Sequence, residues 1–217
     1  GAGMADGWRP DAVYERHALF GGGGLALARR LAVPHLLEVN APLADEQARH
    51  RRLAWPRTAR RLEAAAVRGT DAVLAVSEPL ARWAAEQGAA DRRIHHVPNG
   101  VDVARFAMAE AQRETTRARL GLAGGQVVGF VGSLKAWHGT ASLLRAFAAV
   151  AAGLPRARLL IVGDGPERPR LAALAEDLGI AGRTVLTGAV PHARIPEHLA
   201  AMDVAVAPYD APGAEGA

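Results

Sequence analysis

The chain contains no cysteine, which removes disulfides, thiolate metal sites and thiol nucleophiles together. Aromatic residues make up only 5% of the 217 residues, so the core has to be built mainly from Ala, Leu and Val, the material of closely packed helix-on-sheet proteins. Eighteen consecutive apolar residues occur nowhere, and the opening GAGMADGWRP shows neither the basic nor the apolar region of a secretion signal. A globular, cytoplasmic protein is therefore expected. Lysine is almost missing as well. Among 26 Lys and Arg residues, Lys135 is the one lysine.

The 26 basic residues against 22 acidic ones leave a formal net charge of +4, and neither half of the chain is a polybasic tail. The densest basic run is RHRRLAWPRTARR at 49–61. It reads first as a solvated helix face kinked at Pro56. Peripheral contact with an anionic membrane surface is the alternative, since Arg mixed with Trp suits a headgroup layer. Nucleic acid is not expected, because no aromatic-interleaved strand or recognition-helix pattern accompanies the run.

Periodicity alternates short apolar runs with helical ones. DAVYE (11–15), HLLEV (35–39), AVLAV (72–76) and IHHV (94–97) read as strands, separated by helices in LALARRLA, across 44–69 and in PLARWAAEQG. The pattern restarts with QVVGFVG (126–132), ARLLIVG (157–163), TVLTG (184–188) and DVAVAPY (203–209), with helices near 140–152, 166–178 and 192–201. Apolar strands alternating with helices of about ten residues predict parallel sheets covered on both faces. The fold class is α/β, with two Rossmann-like doubly wound domains at 1–98 and 99–217. Their boundary is placed at VPNGVDVARF, where Pro98 ends a ladder and Asn99-Gly100 signals a turn.

Ligands in open α/β sheets collect beyond the carboxyl ends of the strands. That rule selects Glu15 and Arg16, Asn40, Ser77, the stretch from Ser133 to Gly139, Asp164 and Gly165, and Gly188 to Pro191. In FVGSLKAWHG (130–139), Gly132 permits close backbone approach, and the helix opening near Gly139 presents amides suited to phosphate. Lys135 adds a compact ammonium that reaches a phosphate oxygen from varied angles; the competing view is an ordinary surface lysine. His138 reads either as a ligand donor or as a cap on the following helix, and Trp137 as packing. For Asp164 in IVGDGPE, a tight turn with an Asp cap weighs equally, with Pro166 placed in the first helical turn. Ser77 reads first as a helix N-cap. FGGGG at 20–24 lacks the Lys-Ser/Thr of a Walker loop, and there is no GxSxG. His95 and His96 alternate across a strand, while His192 and His198 sit on different sides of a helix, so no metal site is expected.

PHLLEVNAPL, SEPLARW, HHVPNGVDVARF, FVGSLKAWHG, LLIVGDGPERPRL and LTGAVPHARIPEHLAAMDVAVAPY, in this order, resemble the retaining glycosyltransferases of family 4, over roughly residues 11 to 210. That resemblance implies the GT-B fold: two Rossmann-like domains across a cleft, moving a sugar, such as a hexose, from a UDP- or GDP-type donor to an acceptor with retention and without metal or cofactor. The acceptor class, glycan, lipid or small molecule, stays open. By the same resemblance, Gly132, Ser133, Lys135 and His138 line the donor diphosphate, with Lys135 as the catalytic cation. Asp164 and Gly165 lie near the nucleotide, and Gly188 and Val190 shape the base pocket. Glu15, Arg16 and Asn40 face the acceptor and donor sugar. Many relatives carry Arg where Ser133 stands, Lys where His138 stands and His where Asn40 stands. Both domains are expected to be incomplete, since a first βα unit is absent and the chain stops before the family's paired-glutamate motif, which Glu215 does not establish. A non-catalytic nucleotide-sugar or phosphate-binding module is the rival reading; a dehydrogenase is disfavoured by the missing dinucleotide fingerprint.

Overall fold

A computed structural model gives the protein's structure at residues 8–50, 52–107 and 110–208. Glu215 and the end of DVAVAPY lie outside these described residues. The chain divides after Gly100 into two compact units.

In the first unit, β1 (Val13–Arg16), α1 (Gly23–Leu31), β2 (His35–Val39), α2 (Leu43–His50), α3 (Pro56–Gly69), β3 (Ala72–Ala75), α4 (Glu78–Glu86) and β4 (Ile94–His96) follow one another. The four strands are parallel, in the order β1-β2-β3-β4. Every crossover therefore steps the same way, and right-handed connections that never reverse place their helices on one face. Leu37, Val39 and Val73 pack there against Ala66 and Val67 of α3 and Leu80, Trp83 and Ala84 of α4. Of these, the fully buried Leu37, Val39, Val67 and Val73 each contribute roughly 1.5–3 kcal/mol by leaving water. The opposite face, with Tyr14, Leu36, Leu74 and His95, remains half-buried or exposed among the described residues. Among the described residues of this unit, the helices cover one face of the sheet, where the apolar strands predict both covered.

The expected helix across 44–69 is two helices. Trp55 adopts φ 54° and ψ 58° immediately before α3, and Pro56 opens that helix, where its missing N–H costs nothing. The proline starts a helix here and does not kink one. Ser77 occupies the N-cap position of α4, but its side chain makes no capping hydrogen bond.

The second unit contains α5 (Val103–Phe106), α6 (Glu110–Arg119), β5 (Gln126–Val131), α7 (Thr140–Gly153), β6 (Ala157–Val162), α8 (Arg168–Asp177), β7 (Thr184–Leu186), α9 (Ile195–Ala200) and β8 (Val204–Ala205). Its parallel sheet has the order β7-β6-β5-β8. The chain steps outward from β5 to β7 and then returns to the far side of β5, so this sheet is covered on both faces. Phe130, Leu159 and Ile161 meet Leu143, Leu144, Phe147 and Leu171 on one side. Val127, Leu160 and Val162 meet Leu199, Ala201 and Met202 on the other. Pro166 precedes α8 instead of lying in its first turn; Pro169 takes that place.

α6 is fastened to the end of α9 by polar contacts. Arg113 donates to the carbonyls of Ala200 (2.9 Å) and Met202 (3.0 Å), and Arg117 donates to that of Ala201 (2.9 Å). These are carbonyls that a helix end leaves without partners. Both arginines also pair with Asp203, which accepts the Val127 amide at 2.7 Å. Burial pushes the Asp203 carboxyl up, but the Val127 amide and the Arg117 and Arg113 guanidiniums outweigh it, and its pKa lies below the ordinary 3.8. A depressed acid stabilises the fold above its unfolded pKa and loses that contribution as pH falls through the folded value. Thermal melts of Asp203→Asn against wild type should show a gap that is constant near neutrality and closes in acid below about 3.8. A gap independent of pH down to that range would contradict this account.

Candidate functional site

β5, β6 and β7 end at Val131, Val162 and Leu186, and the loops that follow converge at the carboxyl edge of the second sheet. A cavity of about 240 Å³ opens there. It is lined by Val131, Gly132 and Ser133 after β5, Val162, Gly163 and Asp164 after β6, and Ala189, Val190 and Ile195. It exists because two loops lie backbone to backbone. Leu134 donates its amide to the Asp164 carbonyl (2.9 Å), and its own carbonyl accepts from Glu167 (3.1 Å). Gly163 has φ 140°, and a Cβ there would overlap the Gly132 carbonyl oxygen. Its amide donates to Gly188 at 3.0 Å. Only glycine allows this approach.

Leu134 is fully buried, which anchors the loop and leaves Ser133 and Lys135 on either side of the anchor. The Lys135 ammonium lies 5.0 Å from the centroid of the Trp137 ring, a cation–π distance. His138 Nδ1 is bonded to the Ser133 carbonyl and lies 3.3 Å from the Ser133 hydroxyl. That nitrogen therefore carries the proton toward the carbonyl. The ring also stands edge-on to Trp137 at 5.9 Å. Behind this cluster, Gly139 at φ 65° leads into the 14-residue α7, whose first amides give a positive end.

Of the donor-side residues singled out from sequence, Gly132, Ser133, Asp164 and Val190 share the cavity wall. Gly188 supports it through the bridge to Gly163, and Gly165 presses against the Leu134 backbone. Lys135 and His138 stand on the adjoining loop, outside the lining. Asp164 is spent partly on its own loop, accepting the Gly165 amide at 2.8 Å and pairing with Arg168 at 3.4 Å. Arg168 was not anticipated. Its guanidinium passes beside Gly188 and adds positive charge at the rim of the same loops.

In the first unit the three expected residues separate. The Glu15 carboxylate turns to the helix-covered face, accepting the Gly24 amide of α1 (3.3 Å) and meeting His35 Nε2 (3.0 Å). His35 is fully buried, with Nδ1 on the Thr70 hydroxyl at 2.9 Å. Arg16 and Asn40 meet instead at Glu38, which accepts Asn40 Nδ2 at 2.6 Å, the Tyr14 hydroxyl at 2.5 Å and Arg16 Nε at 3.3 Å. The Tyr14 hydroxyl, then the Asn40 amide, hold the Glu38 carboxyl below the usual range despite burial, and Arg16 adds to this. The same bond to Glu38 raises the Tyr14 phenol. Sequence reading missed Glu38 because the convergence needs the strand register, which sets Arg16 opposite Glu38. It also missed the pairing of His17 with Glu63 at 2.8 Å, where both side chains are nearly buried. Among the described residues, no group of three or more His, Asp or Glu side chains is placed to hold a metal ion.

Two family models match the chain: Glycosyltransferase Family 4 over residues 2–105 and Glycosyl transferases group 1 over residues 125–216. Among curated proteins, the chain is 33% identical over 216 residues to a 2-deoxystreptamine N-acetyl-D-glucosaminyltransferase of Streptomyces fradiae, covering 93% of the chain and 50% of that protein. It is 31% identical over 211 residues to a D-inositol 3-phosphate glycosyltransferase of Segniliparus rotundus, covering 94% and 46%. A crystal structure of Anabaena HepE in complex with UDP superposes with a TM-score of 0.78 at 22% identity, covering 93% of the chain and 54% of that protein. The chain thus spans about half the length of these relatives.

Proposed function

This chain belongs to the family 4, group 1 glycosyltransferases, and from that premise we propose that the whole protein transfers a sugar from a nucleoside diphosphate sugar to an acceptor hydroxyl. The observation that carries the proposal is the cavity at the carboxyl edge of the second sheet. Its wall includes the backbone of Gly132 and Gly163, where no side chain keeps a phosphate away, and the chain's one lysine stands on the adjoining loop. In the transfer, the bond between the anomeric carbon and the phosphate oxygen breaks, the acceptor oxygen bonds to that carbon, and the acceptor proton leaves with the diphosphate. The negative charge that develops on the leaving diphosphate is met by Lys135, by Arg168 and by amides at the start of α7. The proposal includes a resident-metal-free mechanism, retention at the anomeric centre and a hexose as the sugar.

The structures of HepE with UDP and with UDP-glucose and a GDP-mannose-dependent alpha-mannosyltransferase of Mycobacterium tuberculosis, 36% identical over 212 residues, support a UDP- or GDP-linked donor. In the first unit, Arg16 and Asn40, held by Glu38, are the groups proposed to meet the acceptor. A donor screen with the full-length protein, reading released nucleoside diphosphate and the anomeric configuration of the product, tests the proposal. Release with one class of donor and retained configuration are expected. Tight binding of a nucleotide sugar without any release across donors and acceptors would establish a binding module instead.

A further inference from the structure

We propose that the segment around Trp55 is a docking surface for an anionic lipid bilayer. Trp55 is 75% exposed and adopts φ 54°, a region that bulky residues other than glycine rarely occupy. Burial does not explain this strain, because the indole faces water. Strain held at an exposed aromatic calls for a binding role.

The charges around it point the same way. Arg49, Arg52, Arg57 and Arg61 are exposed, and none has an acidic partner among the described residues, whereas nearby Arg60 is paired with Asp45 at 2.9 Å. Arg57 and Arg61 lie one turn apart on α3, on the side away from its buried Ala59, Glu63, Ala66 and Val67. Like charges at that spacing weaken a helix. An exposed strained indole and uncompensated guanidiniums both oppose folding in water, and an anionic headgroup layer accepts both. The indole settles at the boundary between headgroups and acyl chains, while guanidiniums bind lipid phosphates in pairs of hydrogen bonds. Leu62, 41% exposed on the same helix, adds apolar area. The combination favours a bilayer over a nucleic acid, which would reward the charges but leave the leucine in water. The surface belongs to the first unit and the cavity to the second, and its assignment does not rest on the transferase reading.

The test is sedimentation of the full-length protein with vesicles of phosphatidylcholine alone or mixed with phosphatidylglycerol. Binding is expected on the mixed vesicles, weakening with salt, and far less on the neutral ones. Each of Arg57→Gln and Arg61→Gln should lower the partition coefficient about fivefold, and Trp55→Ser about tenfold, with melting temperatures of the Arg variants equal to or slightly above that of the wild type. Equal binding to neutral and anionic vesicles, no binding of the wild type to either, or unchanged partition of all three variants would each overturn the proposal. So would tighter binding to a single-stranded RNA probe that the mixed vesicles fail to compete.

Discussion

Replacing Lys135 by alanine in the full-length protein is expected to lower kcat/KM for sugar transfer about 100-fold or more, with little change in melting temperature. Removing one preorganised group that stabilises developing charge typically costs a factor of about 100 to 1,000, and the group proposed for that role is the side chain of the chain's one lysine. The geometry argues that it is held ready. Its loop is pinned by buried Leu134, and Trp137 holds the ammonium through its ring face, an interaction weak enough, roughly 0.5–1 kcal/mol at exposed sites, to yield to a diphosphate. The loss should appear in kcat as well as in KM, because charge on the leaving group grows toward the transition state. Lys135→Arg should recover only part of the rate, since a planar fork cannot take every approach open to an ammonium. If Lys135 merely packs on the indole, kinetics will stay at the wild-type level and only a small loss of stability will follow. Steady-state rates for the two variants separate these outcomes.

Gly163→Ala is expected to produce the largest loss of stability among single glycine changes near the site, about 3 kcal/mol or more. A methyl group there would overlap the Gly132 carbonyl oxygen, and φ 140° is unfavourable for any L side chain. One loop has to move, and the Gly163 amide then loses its bond to Gly188. Because Gly132, Gly163 and Asp164 form the cavity wall, donor binding should weaken with stability. Gly153→Ala is the control. It lies at the end of α7 with nothing within 4 Å of its added Cβ, and alanine there should be neutral or stabilise by up to about 1 kcal/mol. Denaturant unfolding of both variants would refute the account if they behaved alike.

Much of this site was legible before any coordinates. Ser133, Asp164 and Val190 follow from the rule that ligands collect at carboxyl ends of parallel strands, Gly132 from the close backbone approach a glycine permits there, and the structure brings all four to one cavity. Glu15 shows where such reading stops. The rule places it beside Arg16, yet successive residues of a strand face opposite ways, so Glu15 turns under α1 to His35 while Arg16 turns out to Glu38. Arg168 and Glu38 carry no local signal; one is reached through a loop contact and the other through strand register.

By itself the amino-acid order determined the alternation of strands and helices, because short apolar runs and stretches of about ten residues with helical periodicity are local properties of the chain. It determined the glycines at the strand ends and the lone lysine among them for the same reason. Tertiary structure alone decided which faces of each sheet are covered. That depends on whether the crossovers reverse direction, as they do from β7 to β8 and do not from β1 to β4. It also decided which polar side chains meet, since partners such as Asp203 and Arg117, or Glu63 and His17, are far apart in sequence and become neighbours only when helices settle on sheets.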